Sequence, residues 1–378
     1  MTVLTLAQVR ALRLRALLLT GARGLVLDGG ASAVACVVEH LGAMQAQDVA
    51  SARWSLGVRL PGTPQAEVVA AIDRGYVLRT WPMRGTIHLV PSRDAAWMTA
   101  LMSRRPRAAA ASRRAALGLT DADVARGTEA LREALTGTRL TRAACLAALD
   151  EAGVSPAGQR GYHVIVDAAQ SGAVCLAGEE GKEQLFARLD EWAPDPAHPS
   201  RDEGLATLAT RFVRSHGPVT ERDFARWTGL PLRDCRAGIA GAEASVEAVE
   251  TEAGPMLVAP AALEEPAVDL EDLALPGFDE LVLGYADRSA QLDKAHEPSV
   301  VPGGNGVFRS TFVLDGRVVG TWRRTLRAHS VEVEAHDIVG LSRRDRQRCE
   351  RALSPFGAFV GLPVTVTWAT PPRQRARS

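Results

Sequence analysis

Thr220-Glu221-Arg222-Asp223-Phe224-Ala225-Arg226-Trp227-Thr228-Gly229-Leu230-Pro231-Leu232-Arg233-Asp234-Cys235 carries a helix, a sharp glycine break and the start of a second helix. The spacing predicts helices over 220–228 and 232–240, with Gly229-Leu230-Pro231 too tight for anything but a turn. A short helix, a glycine turn and a second helix are the order of a helix-turn-helix. A further helix is predicted over 205–215, and two extended runs, 245–251 and 255–258, follow as a hairpin.

The same order occurs twice upstream. Helices are expected over 6–19, with Leu6, Val9, Leu12, Ala16 and Leu19 at helical spacing, over 33–45 and over 65–74. Extended runs at 76–81 and 86–90 are joined by Pro82-Met83-Arg84-Gly85. A second unit opens at Thr120, an N-cap followed by Asp121 and Asp123. Helices over 141–152 and 158–171 and strands over 173–177 and 184–188 follow, closed by the Pro-rich linker 193–199. Helices followed by a hairpin make a winged helix, so the fold class expected is α+β with tandem winged-helix units. The units expected are 1–118, 119–198 and 199–262. A C-terminal β-hairpin domain, 263–378, holds strands over 307–314 and 318–323 around Asp315-Gly316, a helix over 343–359 and a strand over 364–368. The tail 371–378, with Arg373, Arg375 and Arg377, is expected to be disordered.

The 378 residues are 46% hydrophobic and 23% charged, enough for about two to four packed units. No apolar run approaches the ~18–20 residues of a membrane span, and no secretory leader is expected. Five cysteines without a CxxC, and eight histidines without HxxH or HxxxH, support neither a disulfide framework nor a metal site. No cofactor is expected, and the setting expected is cytoplasmic, associated with the nucleoid. A net charge of zero conceals +9 over residues 1–120, −16 over 121–300 and +7 over 301–378. Basic ends around an acidic middle suit a polyanion held between the ends, and equally the ordinary drift of surface charge along a large protein. Lys182 and Lys294 are the sole lysines, so Schiff-base chemistry has two candidates, both in the acidic middle.

Leu41-Gly42-Ala43-Met44-Gln45-Ala46-Gln47-Asp48 stands at the end of the second predicted helix. Gln45 and Gln47 point the same way only where the backbone is extended. Carboxamides have no useful pKa, so the pair cannot act as a general base; it can hold a water through its oxygens and a substrate through its NH2 groups. That suits a leaving group that already departs easily. In isolation such a pair is an ordinary solvated helix end.

Four segments together resemble the winged-helix DNA glycosylases typified by AlkZ, the azinomycin-resistance enzyme. They are Leu41-Gly42-Ala43-Met44-Gln45-Ala46-Gln47, Arg79-Thr80-Trp81-Pro82-Met83-Arg84-Gly85-Thr86-Ile87-His88, Leu275-Pro276-Gly277-Phe278-Asp279-Glu280-Leu281-Val282-Leu283-Gly284-Tyr285-Ala286-Asp287-Arg288 and Gly303-Gly304-Asn305-Gly306-Val307-Phe308-Arg309. The resemblance implies that Gln45 and Gln47 are the catalytic pair, in the branch that has glutamine rather than aspartate at the second place. It also implies excision of N7-alkylguanine, cross-linked bases included. Alkylation at N7 weakens the glycosidic bond, so preorganised dipoles that place a water at C1′ suffice. Asp48 is a candidate electrostatic helper or a plain helix-end carboxylate. With no lysine near the motif, a monofunctional enzyme that leaves an abasic site is expected.

The partner expected is double-stranded DNA carrying alkylated purines, bound by a monomer. Arg84, beside Gly85 in the hairpin turn, is a candidate phosphate contact, and His88 either a DNA contact or a core histidine. Arg309, Arg317, Arg323 and Arg324 form a candidate basic ribbon, or the charged protection of a strand edge. Tyr285, Asp287 and Arg288 read as an internal polar network, and Trp54 and Trp81 as core. The other class of reading is a non-catalytic winged-helix regulator or drug-sequestering protein, or a protein-interaction scaffold; a regulator has no need of the glutamine pair.

Overall fold

Gly42 decides how the glutamine pair is presented. In the computed structural model, which describes residues 3–20, 30–265, 269–304 and 306–369, the second helix, Gly30–Leu41, stops at this glycine. Its φ of +79° is a conformation other residues rarely adopt. The chain then runs extended through Met44–Gln45. Periodicity predicts a helix through Gln45; the left-handed backbone at Gly42 ends it at Leu41 instead. Asp48 next caps a helix, Val49–Arg59, accepting from Ser51 N at 2.6 Å. That helix is buried nearly all round, so it has no polar stripe to betray it in the sequence.

The first two hairpins were expected as separate wings. They form one sheet, ordered Met44–Gln45, Thr86–Pro91, Val77–Met83, Val174–Glu180, Glu183–Arg188, Leu140–Thr141. Arg79 pairs with Leu176 where the two hairpins meet. Helices Asp121–Ala134, Arg142–Glu151 and Arg160–Gln170 come between the two hairpins, the first of them held by a capping box of Thr120 with Asp123.

The stretch around Gly229 folds as its residues indicate. Helix Glu221–Thr228 starts at a Thr220–Asp223 capping box, ends at Gly229 with φ +72° and is followed by Leu232–Gly241. Helix Arg201–His216 precedes them, and the ribbon Glu247–Thr251 with Gly254–Val258 follows. Gly238 lets two helices close: a Cβ there would lie 2.6 Å from the Leu205 carbonyl oxygen.

Asp315 and Gly316, both at positive φ, turn Ser310–Leu314 into Arg317–Leu326. The C-terminal sheet is larger than the expected hairpin. It has five strands, ordered Val364–Trp368, Val331–Asp337, Arg317–Leu326, Ser310–Leu314, Leu273–Leu275, with the first pair parallel. The helix predicted over 343–359 is two, Arg343–Ala352 and Ser354–Val360, because Pro355 has no N–H to continue the first. The tail 371–378 and Asn305 lie outside the described residues.

Trp54 and Arg59 tie Val49–Arg59 to the C-terminal part. Trp54 is buried as expected, donates to Ala274 O at 2.7 Å and packs on Phe356 and Phe359. Arg59 and Asp279 form a buried ion pair at 2.7 Å, and Arg59 also reaches the carbonyls of Leu17 and Ser55. Tyr285 and Arg288 are buried, Tyr285 donating to His216 O and Arg288 reaching Val282 O, whereas Asp287 lies at the surface. Among the described residues, no helix is long and apolar enough to cross a membrane, and no group of three His, Cys, Asp or Glu is placed to hold a metal ion. The five cysteines are free.

Candidate active site

The strand Met44–Gln45 pairs antiparallel with Thr86–Pro91, in the register Gln45↔His88. Arg84, at φ +55° in the turn of the hairpin, sends its guanidinium inward rather than out to solvent. Its Nη2 lies 3.2 Å from Gln45 Oε1 and 2.9 Å from His88 Nε2. A guanidinium only donates, so His88 Nε2 must accept, and its Nδ1–H donates to Thr86 O at 2.9 Å. His88 is fully buried, and burial, then the Arg84 charge, hold its pKa well below the ordinary value. It is neutral, and its contacts fix Arg84 rather than reach the surface.

The next two residues extend the arrangement. Ala46 N donates to Ile87 O at 2.8 Å, and Ala46 O accepts from Arg79 Nη2 at 2.9 Å. Gln47 Oε1 accepts from Ile87 N at 3.2 Å. Both partners of the glutamine oxygens can only donate, which fixes the oxygen end of each amide inward. Each oxygen keeps a second lone pair, and each NH2 stays available to a ligand.

Gln47 lines a cleft of about 580 Å³ whose floor is the six-stranded sheet and whose wall is Arg142–Glu151 and Arg160–Gln170. Gln45 lies behind it, on Arg84. Trp81, expected in the core, is largely buried and faces this cleft. Asp48 faces away, into a second cleft of about 570 Å³, and besides capping its helix it lies 3.5 Å from Arg324.

The four arginines of the expected ribbon separate. Arg309, Arg323 and Arg324 line the second cleft. Arg323 is paired across the strands with Glu334, and Arg324 lies over the Phe356 ring at 5.8 Å. Arg317 lines a different cavity, with Asp315 and Arg348, because it sits at the far end of the strand Arg317–Leu326.

The family model for DNA glycosylase AlkZ-like proteins matches residues 38–359. The chain belongs to that family. It is a DNA glycosylase. An "Interstrand DNA cross-link repair glycosylase" of Streptomyces sahachiroi is 28% identical over 305 residues, covering 76% of this chain and 81% of the relative. The solved structure of Streptomyces sahachiroi DNA glycosylase AlkZ superposes with a TM-score of 0.78 at 24% identity, covering 97% of this chain and all of that one. At that identity the superposition establishes the fold.

Several residues around the glutamine pair were not anticipated from the residues alone. Arg79 is 4% exposed and donates to the peptide between the glutamines, and burial lowers its pKa to about 10. The amide oxygen of Gln184, in the orientation that satisfies both groups, accepts from Arg79 at 2.9 and 3.2 Å. Glu280 is buried behind Arg84; one oxygen faces His216 Nε2 at 3.3 Å and the other has no partner among the described residues. Burial lowers the Arg84 pKa, and the Glu280 charge opposes that shift. Arg79 and Glu280 both fall inside the segments that carry the family resemblance, which was the available signal.

Proposed function

We propose that the chain hydrolyses the N-glycosidic bond of N7-alkylated guanine in double-stranded DNA, bulky adducts and interstrand cross-links included, and leaves an abasic site. The observation that carries this reading is the anchoring of both glutamine oxygens by obligate donors, Arg84 for Gln45 and Ile87 N–H for Gln47, with Gln47 lining an open cleft and Gln45 behind it. In N7-alkylguanine the C1′–N9 bond breaks with its electron pair moving to the base, which cancels the positive charge of the purine. Departure therefore needs no acid. The second lone pairs of Gln45 and Gln47 orient the water whose oxygen bonds to C1′, and its proton leaves to solvent. Fixed dipoles of this kind act without reorganising as the sugar becomes cationic.

Neither Lys182 nor Lys294 lines the cleft beside Gln47 or the one beside Asp48, which favours hydrolysis over a lyase step. Arg309, Arg323 and Arg324 supply backbone contacts in the second cleft, Arg84 and His88 support Gln45 from behind, and Arg317 touches DNA only if the duplex extends to its separate cavity. The enzyme acts as a monomer. The activity fits repair of genotoxin-damaged DNA and self-resistance in a cytoplasmic, nucleoid-bound enzyme.

The test uses a labelled duplex with one N7-alkylguanine and a second carrying a cross-link. Each is incubated with wild type and with Gln45→Ala/Gln47→Ala, then treated with alkali. Strand cleavage by wild type and its loss in a double variant that still binds DNA is the expected result. Tight binding without cleavage of either substrate would replace this reading by a non-catalytic DNA-binding one.

A further inference from the structure

Glu280 is a carboxylate buried to 1% exposure in an enzyme whose leaving group needs no acid. Its neighbour Asp279, locked on Arg59, caps the short helix Glu280–Leu283 and so fixes where Glu280 starts. Gly284 lets that segment close on helix Arg201–His216, since a Cβ there would lie 2.7 Å from His216 Cδ2. Glu280 Oε2 meets His216 Nε2 at 3.3 Å as a result. Ser215 Oγ gives its one proton to the Arg211 carbonyl at 2.7 Å, so it can only accept from His216 Nδ1, also at 2.7 Å. With Nδ1 donating there, Nε2 and Oε2 can meet only across a second proton. Imidazole holds a proton more firmly than a carboxylate, so the pair stands as imidazolium and carboxylate. The other oxygen, Oε1, is buried with no hydrogen-bond partner among the described residues. A half-satisfied buried charge is costly to keep.

Arg84 supplies the reason. Its guanidinium is held through Nη2, on Gln45 Oε1 and His88 Nε2, and neither acceptor carries a charge. Burial works against the Arg84 cation, the Glu280 carboxylate works for it, and Arg226 works against it. We propose that Glu280 is the counter-charge that holds Arg84 on Gln45, and is thereby a positioning residue for base release. The proposal rests on the reading of the chain as a glycosylase and adds a residue that touches neither the DNA nor the attacking water. As the C1′–N9 bond opens, the sugar becomes cationic, and the Arg84 charge beside Gln45 opposes it. A fixed carboxylate near Arg84 offsets that opposition without reorganising. His216, by keeping the shared proton, keeps the carboxylate ionised and in place.

The experiment is a double-variant cycle of Glu280→Gln and Arg84→Met in the full chain, on a duplex with one N7-methylguanine. In Glu280→Gln the new amide can donate to a neutral His216 Nε2, so the contact stays satisfied and the pair stays uncharged overall. Base release at saturating enzyme should slow about tenfold in Glu280→Gln, while DNA affinity stays within about twofold of wild type. In the Arg84→Met background the same substitution should change the rate by less than about twofold, because the group it acts through is gone. Urea midpoints read the coupling without chemistry: Arg84→Met should lower the midpoint less in the Glu280→Gln background than in wild type. Should Glu280→Gln fail to fold, Glu280→Asp, which keeps the charge and withdraws it by one methylene, runs both cycles with a smaller first step. A full rate in Glu280→Gln overturns the proposal, as does equal slowing in both backgrounds. Affinity that falls as far as the rate makes Glu280 purely structural and overturns it too. A chain that frees no N7-methylguanine but shows the coupling in urea fails the glycosylase reading alone, and one that frees the base with additive effects fails this proposal alone.

Discussion

Gln45 and His88 stand directly opposite each other in paired strands, and a single nitrogen of Arg84 bridges their side chains. Orientation of the Gln45 amide therefore depends on a neutral imidazole that accepts from the same guanidinium. The glutamine is held as a fixed dipole by a three-residue chain, and each link can be cut separately.

Arg84→Met removes the donor from the buried His88 nitrogen and the half-buried Gln45 oxygen. A hydrogen bond to a charged group is worth about 1.5–3 kcal/mol, so kcat for base release should fall roughly tenfold to a hundredfold. Single-turnover kinetics alongside a DNA-binding isotherm check this. If affinity collapses and kcat holds, Arg84 is a DNA contact instead.

His88 predicts a pH dependence of stability. Its folded pKa lies well below the ordinary value because of burial and then Arg84, so the unfolded chain binds the extra proton first. Stability is then complete above about pH 6.5 and declines as the pH falls below it, by up to about 1.4 kcal/mol per pH unit for one group. His40, held by burial at about 4, adds a slope of the same sign. Urea midpoints at pH 7.5, 6.5 and 5.5 should fall in that order, and less steeply in His88→Asn.

The Arg59–Asp279 pair joins the helix after the motif to the segment 275–288. Burial raises the Asp279 pKa, but the Arg59 charge and its hydrogen bonds, with those of Leu281 N and Ser55, bring it below the ordinary value overall. Its contribution is present above about pH 4 and is lost as the pH falls through the lower, folded value. Asp279→Ala strands a buried guanidinium, and a cost of about 3–5 kcal/mol in denaturant unfolding is expected. A loss under 1 kcal/mol would show that water reaches Arg59.

Gly229 ends helix Glu221–Thr228, yet it lies against Arg84. A Cβ on this residue would lie 3.2 Å from Arg84 Cγ, and its φ is +72°. Gly229→Ala should cost about 1 kcal/mol or more through the backbone and also lower the rate of base release by moving Arg84. An unchanged rate in a destabilised variant would separate the two effects.

Local chemistry was readable where it acts over a few residues. Thr120 and Thr220 mark helix starts, Gly229 a helix end and Asp315-Gly316 a turn, and each is found in that role. The glutamine pair was readable as a motif, with the condition that its backbone be extended. What stayed hidden depends on contacts between distant parts of the chain. Helix Val49–Arg59 has no polar stripe because Phe356 and Phe359 cover the side that solvent would otherwise see. The inward turn of Arg84 follows from a positive φ and from His88 across the strand, neither visible in composition. Arg317 left its expected cluster because ten residues of strand separate the two ends of Arg317–Leu326.

The bond between Arg79 and Leu176 makes one sheet of two hairpins, and that sheet is the floor under the cleft beside Gln47. Such a floor cannot widen by swinging two wings apart, since that would unzip shared strands. The gauge of the opening is set on one side only, by Leu146, Tyr162, Ile165 and Val166 on the two wall helices. Like a vice with one movable jaw, the fold can change the width of this cleft by altering the wall, while the glutamines keep their seat.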